Sequence, residues 1–183
     1  RQEMDKNNAT RLLKARVCCG LLSNVVPEAL ELAFEAVTRA DEAAIYSPEA
    51  KTLREKKVSD LKNRVALING TPGALLVSIH QNSLPSHPST HGAQVFFNAV
   101  DPAGEVAQGV QQALNVSLDG GKTVKAMDGG VYLMKQIRCP GVLVECGFLS
   151  NDKEAAHLQT EEHQRRLAAA ILAGLLQYST KEG

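Results

Sequence analysis

The amino-acid sequence predicts a single α/β domain whose mainly parallel, twisted sheet is flanked by helices on both faces. Two nearly continuous apolar segments, 74–79 and 141–144, are bounded by glycine or proline, which is typical of strands buried in a parallel sheet. Segments with the apolar spacing of a helix separate these strands, and this alternation indicates an α/β fold. The length of 183 residues suits one domain with a substantial core, so residues 1–183 are interpreted as a single domain.

The N-terminal third is predicted to contain helices joined by irregular segments. Leucine and valine residues at helical spacing predict a helix over 9–22, and Pro27 suits the first turn of a second apolar segment. The end of that second segment fits either a strand or a helix. Residues 41–57 are polar and charged and predict a surface loop. Ser59 is then expected to cap a helix that stops at Gly70.

The rest of the chain alternates strands and helices. The C-terminal helix has a well-marked start, because Asn151 is a favoured N-cap residue and Glu154 stands three positions later, the spacing of a capping box. The predicted elements are, in order, a strand over 74–80, a loop over 83–91, a strand over 92–97, a helix over 104–118, an apolar segment over 131–134, a strand over 141–146 and a helix over 152–178.

Composition excludes several classes of protein. The chain carries 20 Lys+Arg and 20 Asp+Glu, and this zero net charge argues against a dedicated nucleic-acid binder. A hydrophobic share of 44% excludes an intrinsically disordered chain. No apolar run reaches the roughly 20 residues that cross a bilayer. Residues 1–6 do not resemble a secretory signal, although a signal removed during maturation would not be seen in this sequence.

Two buried strands end on ionisable residues, and these are the informative positions. His80 closes the first apolar run, and Glu145 directly follows three aliphatic residues of the last one. Ligands of open α/β sheets bind beyond the carboxyl ends of the strands. A histidine at such an end can instead be satisfied by a backbone carbonyl. A carboxylate there must be paired, bound to a metal or protonated.

Together the two side chains are consistent with a hydrolytic zinc site. Neutral imidazole and carboxylate oxygen bind Zn²⁺ in hydrolytic sites that keep one position open for water. Zinc lowers the pKa of that water, and a neighbouring glutamate can accept its proton and deliver it to a leaving amine. A metal-dependent amide hydrolase is therefore one function that these residues support.

The segments around these two residues form specific motifs, VSIHQNS at 77–83 and VECGFLSN at 144–151. They resemble the best-marked motifs of the zinc-dependent N-acetylmuramoyl-L-alanine amidases, which cleave the peptide stem from bacterial peptidoglycan. Residues 62–69, 92–97 and 38–41 are similar to further segments of that family. Within the family, the sequence resembles the sporulation and germination branch of Gram-positive bacteria.

The resemblance implies roles for individual residues. It implies that His80 and Glu3 are zinc ligands and that Glu145 is the catalytic glutamate. Glu3 opens a segment that fits the family's Glu-Lys-Asp-x-Asn-Leu pattern at three positions, although a carboxylate at a helix start is also favoured by the helix dipole. Gln81 and Asn82, just beyond the ligand strand, are candidates for hydrogen bonds to the substrate.

The family's first zinc ligand has no counterpart in the sequence. That ligand is a histidine in a Gly-His-Gly-Gly loop after the first strand, and the motif does not occur in this chain. We therefore expect the first strand and its ligand loop to be absent from residues 1–183. His87 and His91 could replace the ligand in principle, but their Pro- and Ser-rich segment favours solvated loop histidines.

Three functions stay open at this point. The resemblance implies zinc-dependent hydrolysis of the amide bond between N-acetylmuramic acid and L-alanine, by a secreted or cell-wall-associated bacterial enzyme. Its partners would be peptidoglycan and an unidentified protein activator, without nucleic acid. The missing loop favours instead a catalytically impaired fold that binds the wall or a protein. The third function is hydrolysis with Cys146 as the nucleophile, whereas Cys18, Cys19, Cys139 and Cys146 otherwise fit free, mostly buried thiols.

Overall fold

A computed structural model describes residues 45–127 and 129–179 of the chain. Strands and helices alternate within these ranges, which confirms the predicted α/β class. The elements are, in order, α1 (Leu53–Asn69), β1 (Leu76–Asn82), β2 (Gln94–Phe97), α2 (Ala103–Leu118), β3 (Lys125–Ala126), α3 (Tyr132–Gln136), β4 (Gly141–Phe148), α4 (Asp152–Leu158) and α5 (Glu161–Ser179).

Several predictions made from the sequence lie outside the described residues. They are the helix over 9–22, the segment after Pro27, the cysteines Cys18 and Cys19, and the proposed zinc ligand Glu3. Among the described helices, none combines the length and the apolar character that would let it cross a membrane.

The four strands form one mixed sheet in the order β1-β4-β2-β3. The pairs β1–β4 and β2–β3 are parallel, whereas β2 and β4 run antiparallel. The antiparallel pair follows from the connection between β1 and β2, because a loop without a crossover helix usually returns the chain in the opposite direction. The carboxyl ends of β1 and β4 therefore meet at one edge of the sheet, and β2 begins at that edge.

Helices α2, α4 and α5 cover one side of the sheet, which we call the apolar face. Alternate residues of β4, Val142, Val144 and Cys146, point to this face. Helices α2 and α5 approach each other closely, since a Cβ atom added to Gly174 would lie 2.4 Å from the Cα atom of Val110. The buried residues of this cluster are Ala93, Val95, Val106, Ala107, Val110, Leu114, Val142, Val144, Cys146, Leu158, Leu167, Ala170 and Ile171.

Helices α1 and α3 lie on the other side, which we call the site face. A smaller cluster is buried there: Ile68, Leu76, Met134, Ile137 and Leu143. Helices thus lie on both faces of the sheet, as predicted.

Asn98, directly after β2, joins β2 to β4 at the end of the sheet that is remote from the carboxyl end of β4. Its Oδ1 accepts a hydrogen bond from the Gly141 N–H at 3.0 Å, and its Nδ2 donates to the Cys139 carbonyl at 3.0 Å. Asn98 is only 7% exposed, so these bonds are shielded from water. The start of β4 is therefore fixed by a buried side chain.

Helix α1 begins earlier than predicted. The Thr52 hydroxyl accepts a hydrogen bond from the Glu55 N–H at 3.2 Å, and the Glu55 carboxylate accepts one from the Thr52 N–H at 2.9 Å. These reciprocal bonds form a capping box, which starts the helix inside a polar segment. Ser59 lies within the helix, where its hydroxyl accepts the Ser47 N–H at 2.9 Å. The prediction of a loop over 41–57 is therefore wrong for residues 53–57, and Ser59 is not the N-cap.

The predicted C-terminal helix is in fact two helices, because α4 ends at Leu158 and α5 begins at Glu161. Thr160 lies at the break, and its hydroxyl accepts the N–H of His163 at 3.3 Å in the manner of an N-cap residue. Asn151 is the N-cap of α4, as predicted, and its side chain accepts hydrogen bonds from two backbone N–H groups of the first turn.

Candidate active site

His80 and Glu145 lie side by side at the carboxyl ends of β1 and β4. Their Cα atoms are register partners in the parallel pair. Residues paired in this way direct their side chains to the same face of a sheet. On the other side of Glu145, the register partner is Gln94, the first residue of β2. The two ionisable residues singled out from the sequence are thus brought together, half-buried, at a single edge of the sheet.

The imidazole of His80 is held by a residue of its own strand. Its Nε2 lies 2.9 Å from the Ser78 Oγ. Ser78 and His80 are two positions apart, so both point to the site face. A hydroxyl contact at one ring nitrogen restricts the orientation of the imidazole.

Gln94 is fixed by a network of buried amides. Its Nε2 donates to the Gln111 Oε1 at 3.3 Å and to the Thr123 carbonyl. The Gln111 Oε1 also accepts the Val95 N–H at 2.8 Å. Gln111 lies in α2, so this helix sets the position of the strand that lies next to Glu145.

Gln81 and Asn82 follow His80 where the register between β1 and β4 shifts. Gln81 is buried, with 7% of its surface exposed. The Asn82 carbonyl accepts the Leu149 N–H at 2.8 Å, and its Oδ1 accepts the N–H of the next residue. That Gln81 and Asn82 contact the substrate stays a prediction.

Hydrogen bonds join the loop that follows β1 to Ser150, after the end of β4, and to the first turn of α4. The Leu84 N–H donates to the Ser150 Oγ at 2.9 Å, and the Gly92 N–H donates to the Glu154 Oε1 at 2.8 Å. Asn151 adds a longer bond to a carbonyl of this loop. The loop therefore has a defined position beside the site.

His87 and His91 lie exposed in this loop. The His87 Nδ1 lies 3.0 Å from the Ser86 Oγ, and the His91 Nδ1 lies 3.0 Å from the Ser89 carbonyl oxygen. Within 45–127 and 129–179, no three or more His, Cys, Asp or Glu side chains come together as a metal-binding group. Neither histidine therefore joins His80 in such a group among these residues.

Cys146 is poorly suited to act as a nucleophile. It points to the apolar face and is 1% exposed. Burial raises the pKa of its thiol far above the usual range, and the negative charge of Glu145 raises that pKa further. Because the thiolate is the reactive form, a buried thiol of this kind is inert at neutral pH. The structure disfavours the hydrolase with a cysteine nucleophile.

Comparison with known proteins decides the family. A family model described as N-acetylmuramoyl-L-alanine amidase matches residues 36–177. The chain belongs to this family. It is similar to the germination-specific N-acetylmuramoyl-L-alanine amidase of Bacillus subtilis (strain 168), with 35% identity over 152 residues, or 82% of this chain and 64% of that protein. The predicted resemblance to the germination branch is thereby confirmed.

Solved structures agree with this assignment. The CwlD amidase from Clostridioides difficile, solved in complex with the GerS lipoprotein, has 33% identity and a TM-score of 0.76, covering 95% of this chain and 85% of that one. The N-acetylmuramoyl-L-alanine amidase from Clostridium difficile 630 has 23% identity and a TM-score of 0.74, covering 97% and 86% of the two chains, and supports the fold.

Sequence reasoning missed three residues of this region. The sequence places Ser78 in an apolar strand and gives it no role. A hydroxyl inside such a strand, two positions before a histidine, could have indicated a contact with that histidine. Gln94 was assigned to a strand without a role, because its pairing with Glu145 is a long-range contact. Glu154 was assigned to a capping box, but its carboxylate accepts other backbone N–H groups.

Proposed function

We propose that the protein hydrolyses the amide bond between N-acetylmuramic acid and L-alanine in peptidoglycan. The observation that carries this proposal is the pairing of His80 with Glu145 at one sheet edge, in a chain of the N-acetylmuramoyl-L-alanine amidase family. The chain spans 64% of the length of the germination-specific amidase that it matches. The family assignment supports an extracytoplasmic location, where the bacterial wall lies.

The donor types at the edge fit zinc. His80 supplies an imidazole, which is a common nitrogen ligand of zinc, and the Ser78 hydroxyl lies 2.9 Å from its Nε2. We propose His80 and Glu3 as ligands, with Glu3 outside the described residues. When bound, zinc supplies a water of lowered pKa and a Lewis acid for the scissile carbonyl.

Glu145 would carry the proton in this reaction. Its Cα atom is paired with that of His80 in adjacent strands, and from this position the carboxylate would accept a proton from the attacking water. The same carboxyl group can then give that proton to the nitrogen of L-alanine as the amide bond breaks. The half-buried position limits exchange of the proton with bulk solvent. Gln81 and Asn82 would hold the substrate beyond the end of β1.

The substitution Glu145→Gln tests the role of this carboxylate. It keeps the size of the side chain and removes the proton acceptor, so release of stem peptides from purified walls should fall by about 100-fold or more. The zinc content per chain, measured by atomic emission, should not change. Glu162→Gln is the matched control, because Glu162 is an exposed carboxylate of α5, a helix on the apolar face of the sheet.

Two results would contradict the proposal. Unchanged peptide release by the Glu145→Gln protein would exclude this residue as the proton carrier. A parent protein that contains no zinc and releases no peptide would favour the impaired fold that binds the wall or a protein.

A protein partner is also part of the proposal. The similar CwlD amidase was solved with the GerS lipoprotein bound, which supports a partner of the same kind for this chain. Peptide release measured with and without a lipoprotein of the same organism tests this; identical rates and no co-purification would contradict it.

A further inference from the structure

The carboxylate of Glu154 connects the end of β4, the strand that carries Glu145, to the segment that leads into the adjacent strand β2. Its Oε1 accepts the Gly92 N–H at 2.8 Å, and its Oε2 accepts the Phe148 N–H at 2.7 Å. Hydrogen bonds to a charged acceptor are short and stronger than those between neutral groups. Both oxygens of one side chain are therefore used to hold backbone from separate parts of the chain.

These two segments are the neighbours of the proposed proton carrier. Gly92 lies two residues before Gln94, whose Cα atom is the register partner of Glu145. Phe148 is the last residue of β4, three positions after Glu145. A carboxylate that holds both segments therefore fixes the backbone on which Glu145 stands relative to the adjacent strand.

The residue before Phe148 makes room for this contact. A Cβ atom added to Gly147 would lie 3.3 Å from the Glu154 Cδ and 3.3 Å from the Leu158 Cδ1. That separation is tighter than ordinary van der Waals contact, so an alanine at this position would press on the carboxylate. Glycine at 147 lets α4 bring Glu154 against the end of β4.

We propose that Glu154 is a positioning residue for Glu145. It does not reach the reacting atoms itself; it acts by keeping the Glu145 carboxylate at the place from which a proton can be accepted and delivered. Proton transfer requires hydrogen-bond distances, and a displacement of about 1 Å can reduce a rate by about 100-fold. This inference rests on the proposed amidase function of the same edge.

The test compares Glu154→Gln with Asp152→Asn. A glutamine keeps one acceptor oxygen and loses the other, so one of the two backbone bonds must break. Asp152 is an exposed carboxylate in the first turn of the same helix and is the matched control. In the otherwise intact protein, well below its unfolding temperature, Glu154→Gln should lower kcat by about tenfold to 100-fold and change KM by less than about twofold. Asp152→Asn should match the parent.

Amide hydrogen exchange gives a readout that does not depend on activity. The N–H of Phe148 or of Gly92 should exchange faster in Glu154→Gln than in Asp152→Asn, while amides in the middle of β1 stay unchanged.

The outcomes separate this inference from the proposed function. A kcat for Glu154→Gln equal to that of the parent, or unchanged exchange at both amides, overturns the positioning role. A loss of rate that disappears at lower temperature, where the variant is fully folded, also overturns it. An inactive parent protein overturns the proposed function, and the exchange rates alone then decide whether Glu154 holds the two segments.

Discussion

The two faces of the sheet differ in what their side chains do, although both are built from the same strands. On the apolar face, β4 presents Val142, Val144 and Cys146 to a large buried cluster. On the site face, the intervening residues of β4 are Leu143, in a smaller cluster, and Glu145, beside His80. Alternation along a single strand thus separates the residues that stabilise the fold from those proposed to perform the chemistry.

This division has an energetic reason. A carboxylate buried among apolar residues without compensation is costly, and the site face leaves Glu145 half-buried at an edge. The apolar face can then be closely filled, so most of the hydrophobic stabilisation is expected from α2 and α5 lying against the sheet. Substitutions on the two faces should therefore have separable effects on stability and on activity.

The largest effect on stability is expected from Gly174→Ala on the apolar face. The new Cβ atom would lie 2.4 Å from the Cα atom of Val110, which is backbone and cannot turn aside. Helices α2 and α5 must then separate, which should lower the free energy of unfolding by about 3 kcal/mol. Thermal or urea unfolding measures this loss.

Gly121→Ala is the control for this substitution, because no atom lies within 4 Å of the added Cβ atom there. If Gly174→Ala were as stable as this control, the close approach of α2 and α5 would be contradicted.

Ser78→Ala on the site face is expected to lower activity while leaving stability nearly unchanged. The substitution removes the hydroxyl that lies 2.9 Å from the His80 Nε2 and leaves the strand intact. Zinc affinity or peptide release should fall by about tenfold to 100-fold, since contacts that orient a ligating histidine have effects of this size. The free energy of unfolding, measured without metal, should change by less than about 1 kcal/mol. A large loss of stability with unchanged zinc affinity would assign Ser78 to the core instead.

The smallest expected effect is a pH dependence of folding stability. It arises from His163, at the margin of the apolar face where α4 meets α5. Burial lowers the pKa of His163, and the nearby His157 and Arg166 lower it further, against a smaller opposite effect of Glu154. Below about pH 6.5 the unfolded chain therefore binds this proton more readily than the folded protein. Stability contributed by neutral His163 is present above that pH and is lost as the pH falls.

The unfolding temperature of the parent, compared with that of His163→Gln, checks this sign. The parent should lose more stability than the variant between pH 7.5 and pH 5.5. Parallel curves for the two proteins would contradict the assignment to His163.

Sequence patterns predicted the helices and strands that are determined by residues close together in the chain. The apolar runs of β1 and β4 and the apolar spacing of α2 predict those elements, because burial of one face or both determines the pattern. The predicted start of α1 at Ser59 was wrong, because Thr52 and Glu55 form a capping box that starts the helix in a segment with few apolar residues. The break between α4 and α5 was missed, because no glycine or proline stands near Thr160 and most of the flanking residues are good helix formers.

The site could be predicted only in part. His80 and Glu145 are recognisable because each is an ionisable residue at the end of a buried strand. Their neighbours depend on strand register and on the order of strands in the sheet, which no local pattern determines. Gln94 lies next to Glu145 because the chain enters β2 antiparallel to β4. Glu154 has the spacing of a capping residue, and only the fold shows that its oxygens accept N–H groups of Gly92 and Phe148.

Because β4 is held by side-chain hydrogen bonds at both of its ends, the number of residues between those ends cannot vary freely. Asn98 holds the N–H of Gly141, and Glu154 holds that of Phe148. Loss or gain of one residue between these points would turn every later side chain of the strand to the opposite face. The carboxylate of Glu145 would then face the valine cluster, and an apolar side chain would stand beside His80. Insertions and deletions should therefore be tolerated at the exposed Gly129 and Gly130 and not between residues 141 and 148.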